Sequence, residues 1–242
     1  MAARTPLIAG NWKMYGRRAD LGEITALGQR IARVSAVEAL ICPPTPYIQN
    51  AAWAVRETRI IIGAQDCSAV GADAARTGEV SAAMLADAGA RYVIVGHSER
   101  RAQHGESDAL VRAKAEAAVG AGLVPIVCVG ETLAERAAGQ VAAVVAAQVR
   151  GSTPAAGAGF VVAYEPVWAI GGDRTPTPAE IEEVHILIRE TLAERVGPEA
   201  NGVRILYGGS VSPRTPPESL ARRAWTAPLS GAPASRRLIS HP

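Results

Sequence analysis

Seven short apolar runs recur along the 242-residue chain, and each is followed by a longer Ala/Glu/Arg-rich stretch with helical spacing. The runs begin near Leu7 (LIAGN), Val37 (VEALIC), Arg59 (RIIIGAQ), Arg91 (RYVIVGH), Leu123 (LVPIVCVG), Phe160 (FVVAYEP) and Val203 (VRILYGG). Each run is continuous instead of alternating, the pattern of a strand covered on both faces in a parallel sheet. The spacing predicts helices over 20–34, 108–121, 132–150 and 177–196. The last opens with Thr177-Pro178-Ala179-Glu180, a capping box with proline at the first helical position. Repeated strand–helix units imply a parallel sheet with right-handed crossovers, either open and doubly wound or closed into a barrel. No GxGxxG follows the first run and no Walker lysine motif occurs, which favours the α/β reading as an eight-fold (β/α) barrel. The length suits one such domain. In a barrel, polar residues at the C-terminal strand ends converge on one site.

Composition narrows the function classes. With 20% charged and 48% hydrophobic residues and a net charge of +2, the chain is neither disordered nor built to coat a polyanion. Aromatic residues are 4%, with one Phe, so stacking platforms for nucleic acid are scarce and no nucleic-acid partner is expected. Alanine is abundant at 48 residues, while lysine occurs only at Lys13 and Lys114 and asparagine only at Asn11, Asn50 and Asn201. Cys42, Cys67 and Cys128 lie in or beside apolar runs without CxxC spacing, as buried reduced thiols do. No secretory leader opens the chain and no run approaches the roughly 18–20 apolar residues of a membrane span. The expectation is a cytoplasmic protein with no membrane partner. One stretch breaks the uniformity: 213–242 holds six of the sixteen prolines and carries a net +4, leaving residues 1–212 at −2.

The rare residues gather at the strand ends. The first run ends in Asn11-Trp12-Lys13, the fourth in Gly96-His97-Ser98-Glu99-Arg100-Arg101, the sixth in Tyr164-Glu165-Pro166 and the seventh in Tyr207-Gly208-Gly209-Ser210. Singly, Lys13 reads as a solvated charge, His97 as a hydrogen-bonded core histidine and Glu165 as half of an ion pair. Together on successive strand ends they suit proton abstraction beside a carbonyl. Glu165, next to apolar Val167, Trp168 and Ile170, is the candidate base. His97 at a helix entry and cationic Lys13 are candidate donors to a developing oxyanion. Backbone N–H groups near Gly171 and Ser210 would hold a phosphate. His104, His185 and His241 have no comparable context and read as structural or surface residues. An aldolase-like barrel with Lys13 as a Schiff base and a binding-only remnant remain open alternatives.

The segments AGNWKM (9–14), GAQD (63–66), TGEVSAAML (77–85), VGHSERR (95–101), CVGE (128–131), AYEPVWAIG (163–171) and YGGSV (207–211) resemble, in order, the motif series of the triosephosphate isomerase family. The resemblance implies a glutamate base, Glu165, with a neutral histidine, His97, and Lys13 polarising the carbonyl of a triose phosphate, without metal or cofactor. It further implies that Asn11 positions Lys13, that Gly171 and Ser210 contact phosphate, and that Glu99 stands behind these groups. Pro166, Val167, Trp168, Ala169, Ile170, Gly172, Asp173, Arg174 and Thr175 would belong to a closing lid. A homodimer would form through the loop around Thr77-Gly78-Glu79, docking near Asn11 to Met14 of the partner.

Two departures stand out. The lid reads Gly171-Gly172-Asp173-Arg174 where the family usually has Gly-Thr-Gly-Lys, so Asp173 places a charge and a side chain at a glycine position, and weaker substrate binding is expected. After Ser212 the family's last strand, reading like Val-Asp-Gly-Ala-Leu-Val-Gly-Gly-Ala-Ser-Leu, is missing. Trp225 to Ser235 stands instead, and its prolines cannot donate to a central ladder. Read one base earlier, synonymous codons for those residues can spell the missing strand, an expectation that the gene sequence decides. The expectation is an isomerase domain over 1–212, with its eighth unit missing or disrupted, and an out-of-frame, poorly ordered tail over 213–242. The first and seventh strands would then have open edges.

Overall fold

The computed structural model describes residues 5–156, 159–170, 174–209 and the backbone of 238–240. Eight parallel strands form a closed ring in chain order: β1 Leu7–Asn11, β2 Glu38–Cys42, β3 Ile60–Ala64, β4 Tyr92–Val95, β5 Val124–Val129, β6 Val161–Tyr164, β7 Arg204–Tyr207 and β8 Leu238–Ser240. Around it lie α1 Leu21–Arg30, α2 Ile48–Ala54, α3 Ala82–Asp87, α4 Ser98–His104, α5 Asp108–Gly120, α6 Leu133–Ala137, α7 Val141–Ser152 and α8 Pro178–Val196. No helix among the described residues is long and apolar enough to cross a membrane.

All seven anticipated strands are present. The helices depart from expectation in instructive ways. The stretch 132–150 is two helices, α6 and α7, because Gly139 adopts φ +70° between them, a left-handed conformation that glycine takes without strain. The helix expected to reach residue 34 ends at Arg30, and Val34 N–H bonds to Ile31 O at 2.8 Å in a tightened turn. The short helices α2, α3 and α4 carry too few turns for periodicity to reveal. The capping box of α8 forms as read: Thr177 Oγ1 accepts from Glu180 N–H and the Glu180 carboxylate accepts from Thr177 N–H.

The expectation that β1 and β7 keep open edges is corrected. The backbone of Leu238–Ser240 pairs with Ile8, Ala9 and Gly10 of β1, and Leu238 pairs with Tyr207 of β7. A ladder uses main-chain groups, so an extended segment without proline, such as Leu238–Ser240, can occupy the gap. The closure is thin on one side: β6 and β7 share four paired residues, β7 and β8 one. The segment 225–235 lies outside the described residues.

Two apolar layers follow from strand alternation. Inside the barrel sit Leu7, Ala9, Leu40, Cys42, Tyr92, Ile94, Ile126, Cys128, Val161, Ala163 and Leu206. Between sheet and helices lies a larger cluster that includes Val93, Val127, Val162 and Ile205 of the strands with Val111, Val149 and Ile188 of the helices. Glu38, Tyr92 and Arg204, each the first residue of its strand, close the N-terminal end: Arg204 Nη1 donates to Glu38 Oε2 at 2.5 Å and Nη2 bonds to the Tyr92 hydroxyl. All three cysteines are buried free thiols. His185 is fully buried on α8, edge-on to the Tyr164 ring at 6.0 Å, and burial pushes its pKa down to about 3.

The interior layer makes a direct stability prediction. Ile126, fully buried in it, has no neighbour free to fill its volume. Ile126→Ala should destabilise the fold by about 3 kcal/mol, read from urea unfolding midpoints.

Candidate active site

Glu165 is the first residue beyond β6, and its backbone is fixed from three sides. Its N–H donates to Val129 O at 2.8 Å. Its carbonyl oxygen passes 1.7 Å from where a Cβ on Gly130 would stand, so only glycine permits that approach. On the other flank Gly208 N–H donates to Tyr164 O at 2.6 Å, and a Cβ at Gly208 would lie 2.9 Å from Glu165 Cγ. The ends of three strands thus press on the one carboxylate.

The side chain is 4% exposed. Its Oε1 lies 2.9 Å from His97 Nε2 and its Oε2 accepts from Ser98 N–H at 2.8 Å. His97 is the N-cap of α4, and its Nδ1 accepts from Glu99 N–H at 3.2 Å. That bond occupies the Nδ1 lone pair, so in the neutral ring the proton sits on Nε2, facing Glu165. Burial pulls the His97 pKa down, but the neighbouring Glu165 carboxylate and then Glu99 pull it up further, and the net direction is upward. The Cys128 thiol, inside the barrel, is pushed well above its ordinary range by burial and by the charge and hydrogen bond of Glu165.

Lys13 reaches the same cluster from β1. Its Nζ meets Glu99 Oε1 at 2.5 Å, and its N–H donates to Oδ1 of buried Asn11 at 2.9 Å. Lys13 is the one non-glycine with positive φ, +51°, among the described residues. A row of acidic and basic groups, Lys13, Glu99, His97 and Glu165, therefore crosses the mouth from β1 through α4 to β6.

The stretch after Glu165 begins as a 3-10 turn, Val167–Ala169. The Trp168 indole donates to Glu131 Oε1 at 2.8 Å, and that oxygen also accepts from the Tyr164 hydroxyl at 3.1 Å and Arg136 Nη1 at 2.7 Å. Arg136 and Arg174 guanidinium carbons stand 4.5 and 4.9 Å from the indole centroid. The structure thus brings together Asn11, Lys13, His97, Glu99 and Glu165. It places Pro166 to Ile170, Arg174 and Thr175 along the adjoining loop. Gly171, Gly172, Asp173 and Ser210 lie outside the described residues.

Sequence reasoning matched CVGE as a motif but gave Cys128, Gly130 and Glu131, which lie against Glu165 and Trp168, no role in the site. The signal was available: CVGE sits at a strand end, the criterion that found the others.

Residues 6–225 match the triosephosphate isomerase family. The chain belongs to that family. It is 59% identical to the triosephosphate isomerase of Afipia carboxidovorans over 89% of this chain and 87% of that protein. To that of Xanthobacter flavus it is 54% identical over 96% and 91%. The crystal structure of triosephosphate isomerase from Bartonella henselae superimposes with a TM-score of 0.84 at 42% identity, covering 98% of this chain and 92% of that one.

The upward shift of His97 rests on the charge of Glu165. Stability from this pair is therefore full below the ordinary histidine pKa and is lost as pH rises through the folded value. Glu165→Gln should lower the His97 pKa, followed by NMR titration of the imidazole; a rise or no change would contradict the assignment of cause.

Proposed function

We propose that the chain interconverts dihydroxyacetone phosphate and D-glyceraldehyde 3-phosphate by proton transfer through an enediolate. The observation that carries this is the pairing of a buried carboxylate, Glu165, with His97 Nε2 at 2.9 Å, beside the Lys13 ammonium at the same strand-end mouth. Glu165 takes a proton from one carbon and returns it to the next. His97 Nε2–H and Lys13 donate to the oxygen that gains charge, from positions fixed before the reaction starts. Asn11 sets the Lys13 backbone, and Glu99 holds the ammonium until a substrate oxygen replaces it. While the carbon proton moves through Glu165, the hydroxyl proton on the first carbon passes by way of His97 Nε2 to the oxygen on the second, so both protons stay within one substrate and the reaction balances without a cofactor. Amides of Gly171 and Ser210 hold the phosphate, and the segment from Pro166 to Thr175 closes over it, excluding water from an intermediate prone to lose phosphate. The 2.5 Å contact of Lys13 with Glu99 suits a cation and supports an electrostatic role over Schiff-base chemistry.

The enzyme is read as cytoplasmic and homodimeric, and exposed Met14 and Tyr15 together with the exposed loop from Gly71 to Glu79 support the dimer. The tail over 213–242 is read as an out-of-frame replacement for the eighth strand–helix unit of an isomerase domain spanning 1–212. The family match ends at residue 225, and Ile8 on the outer face of β1 is 39% exposed where Val93, Val127, Val162 and Ile205 are almost fully covered. The single residue pair joining β7 to β8 favours a second reading for the chain as it stands, a catalytically impaired remnant.

A coupled isomerase assay on the full chain, beside a version with the frame restored after Ser212, separates these readings. The restored protein should be active and the present chain weaker; equal activity would end the impairment, and two folded but inactive proteins would end the isomerase assignment. In the active form Glu165→Ala should lower kcat on the order of 10²–10⁴-fold. Asp173→Gly should lower KM several-fold, by about 1 kcal/mol of binding; an unchanged KM would show that the aspartate does not weaken substrate binding.

A further inference from the structure

The carboxylate of Glu165 is placed through the backbone of Gly130, and Gly130 is itself held by a side chain that no motif contains. Beyond Val129, β5 has lost its neighbour on one side, because β4 ends at Val95 and the chain turns into α4. The main-chain groups of β5 that would have continued the ladder there are taken up by side chains. Arg101 bridges the two strand ends, donating through Nε to Gly96 O at 2.9 Å and through Nη2 to Cys128 O at 3.1 Å. Two residues on, Gln148 of α7 takes both groups of Gly130: its Oε1 accepts from Gly130 N–H at 2.7 Å and its Nε2 donates to Gly130 O at 3.2 Å. A primary amide is the neutral side chain that offers a donor and an acceptor at fixed spacing, so it can bond to one residue as a neighbouring strand would. On the opposite side of Gly130 lies the carbonyl of Glu165, closer than any Cβ allows. Displacing Gly130 therefore displaces Glu165. The room to move exists, since a cavity of about 220 Å³ lined by Ser98, Gly130, Gln148, Glu165 and Val167 adjoins them.

We propose that Gln148 is a positioning residue for the reaction, clamping Gly130 in place of a missing strand and thereby fixing the backbone from which Glu165 reaches the substrate. The inference rests on the isomerase reading for its kinetic form, but its geometry does not depend on it. The side-chain hydrogen bonds of Gln148 go to Gly130 and not to Glu165, His97 or Lys13, and the residue is half-buried on α7. Its effect belongs in kcat, because a shifted base meets a bound substrate badly whereas the phosphate and Lys13 contacts that govern KM lie elsewhere.

The test uses the full chain. Gln148→Met keeps the length and removes both hydrogen bonds; kcat should fall about tenfold with KM within about twofold. The His97 imidazole, followed by NMR in the free protein, should titrate at lower pH as Glu165 moves away. A folded Gln148→Met with kcat within about twofold of the parent, or with its loss confined to KM, would overturn the proposal. If that variant does not fold, Gln148→Glu carries the test, since it keeps an acceptor for Gly130 N–H and loses the donor to Gly130 O. It should show the same kcat loss in smaller degree, and parental kcat would overturn the proposal. A parent without isomerase activity would overturn the functional reading alone, and the His97 titration of the variant would then decide on Gln148: a fall supports the clamp, and an unchanged midpoint ends it.

Discussion

A parallel barrel depends on every strand having a hydrogen-bonded neighbour on each side. Parallel strands cannot be joined by tight hairpins, so each pairing is made between segments separated by a helix, and a ring with one pairing absent exposes two long edges. In this chain seven strands come from well-marked apolar runs, and the seam between β7 and β1 is filled by three residues near the end of the chain. The pairings of that eighth strand are unequal, three residues on β1 and one on β7. The mouth of the barrel is consequently built asymmetrically. The β1, α4 and β6 side carries the charged row, while β7 meets its eighth-strand neighbour at a single residue pair.

The row is stable because its two buried members, His97 and Glu165, are each answered by a partner and its more exposed members, Lys13 and Glu99, answer one another. Glu165 would be costly as an isolated buried charge, and it is met by the His97 ring and a helix N-terminal amide. His97 has its second nitrogen tied to the backbone of the same helix. Glu99 then links the histidine end of the row to Lys13. Coupling of this kind means that the protonation state of one member is a property of its neighbours, and a substrate that enters the mouth replaces partners instead of filling empty space.

The strands and most of the site were legible for one reason: both are written in local sequence. A continuous apolar run signals a strand covered on two faces, and the residue directly after it occupies the mouth, so Asn11, Lys13, His97 and Glu165 could be found without coordinates. The split of 132–150 was hidden because a glycine inside a helical pattern reads as tolerated until its φ is known. Gln148 was invisible because its partner, Gly130, is 18 residues away and its helix shows only apolar periodicity. The disruption of the eighth unit was legible, but the thin pairing that spans the gap was not, because main-chain atoms make it and side-chain identity says little of it. The role of Gly130 was hidden in another way, since a glycine records the absence of a side chain and says nothing of what fills the space.

The backbone at Lys13 sets two demands against each other. Its φ of +51° is a region where glycine is at ease and a long side chain is not. Drift guided by folding alone would therefore move this position toward glycine, and the ammonium would vanish from the mouth with little harm to the barrel. Lysine is scarce everywhere else in a chain that otherwise uses arginine. A lysine on a backbone that does not favour it means that stability and chemistry ask for different residues at one site.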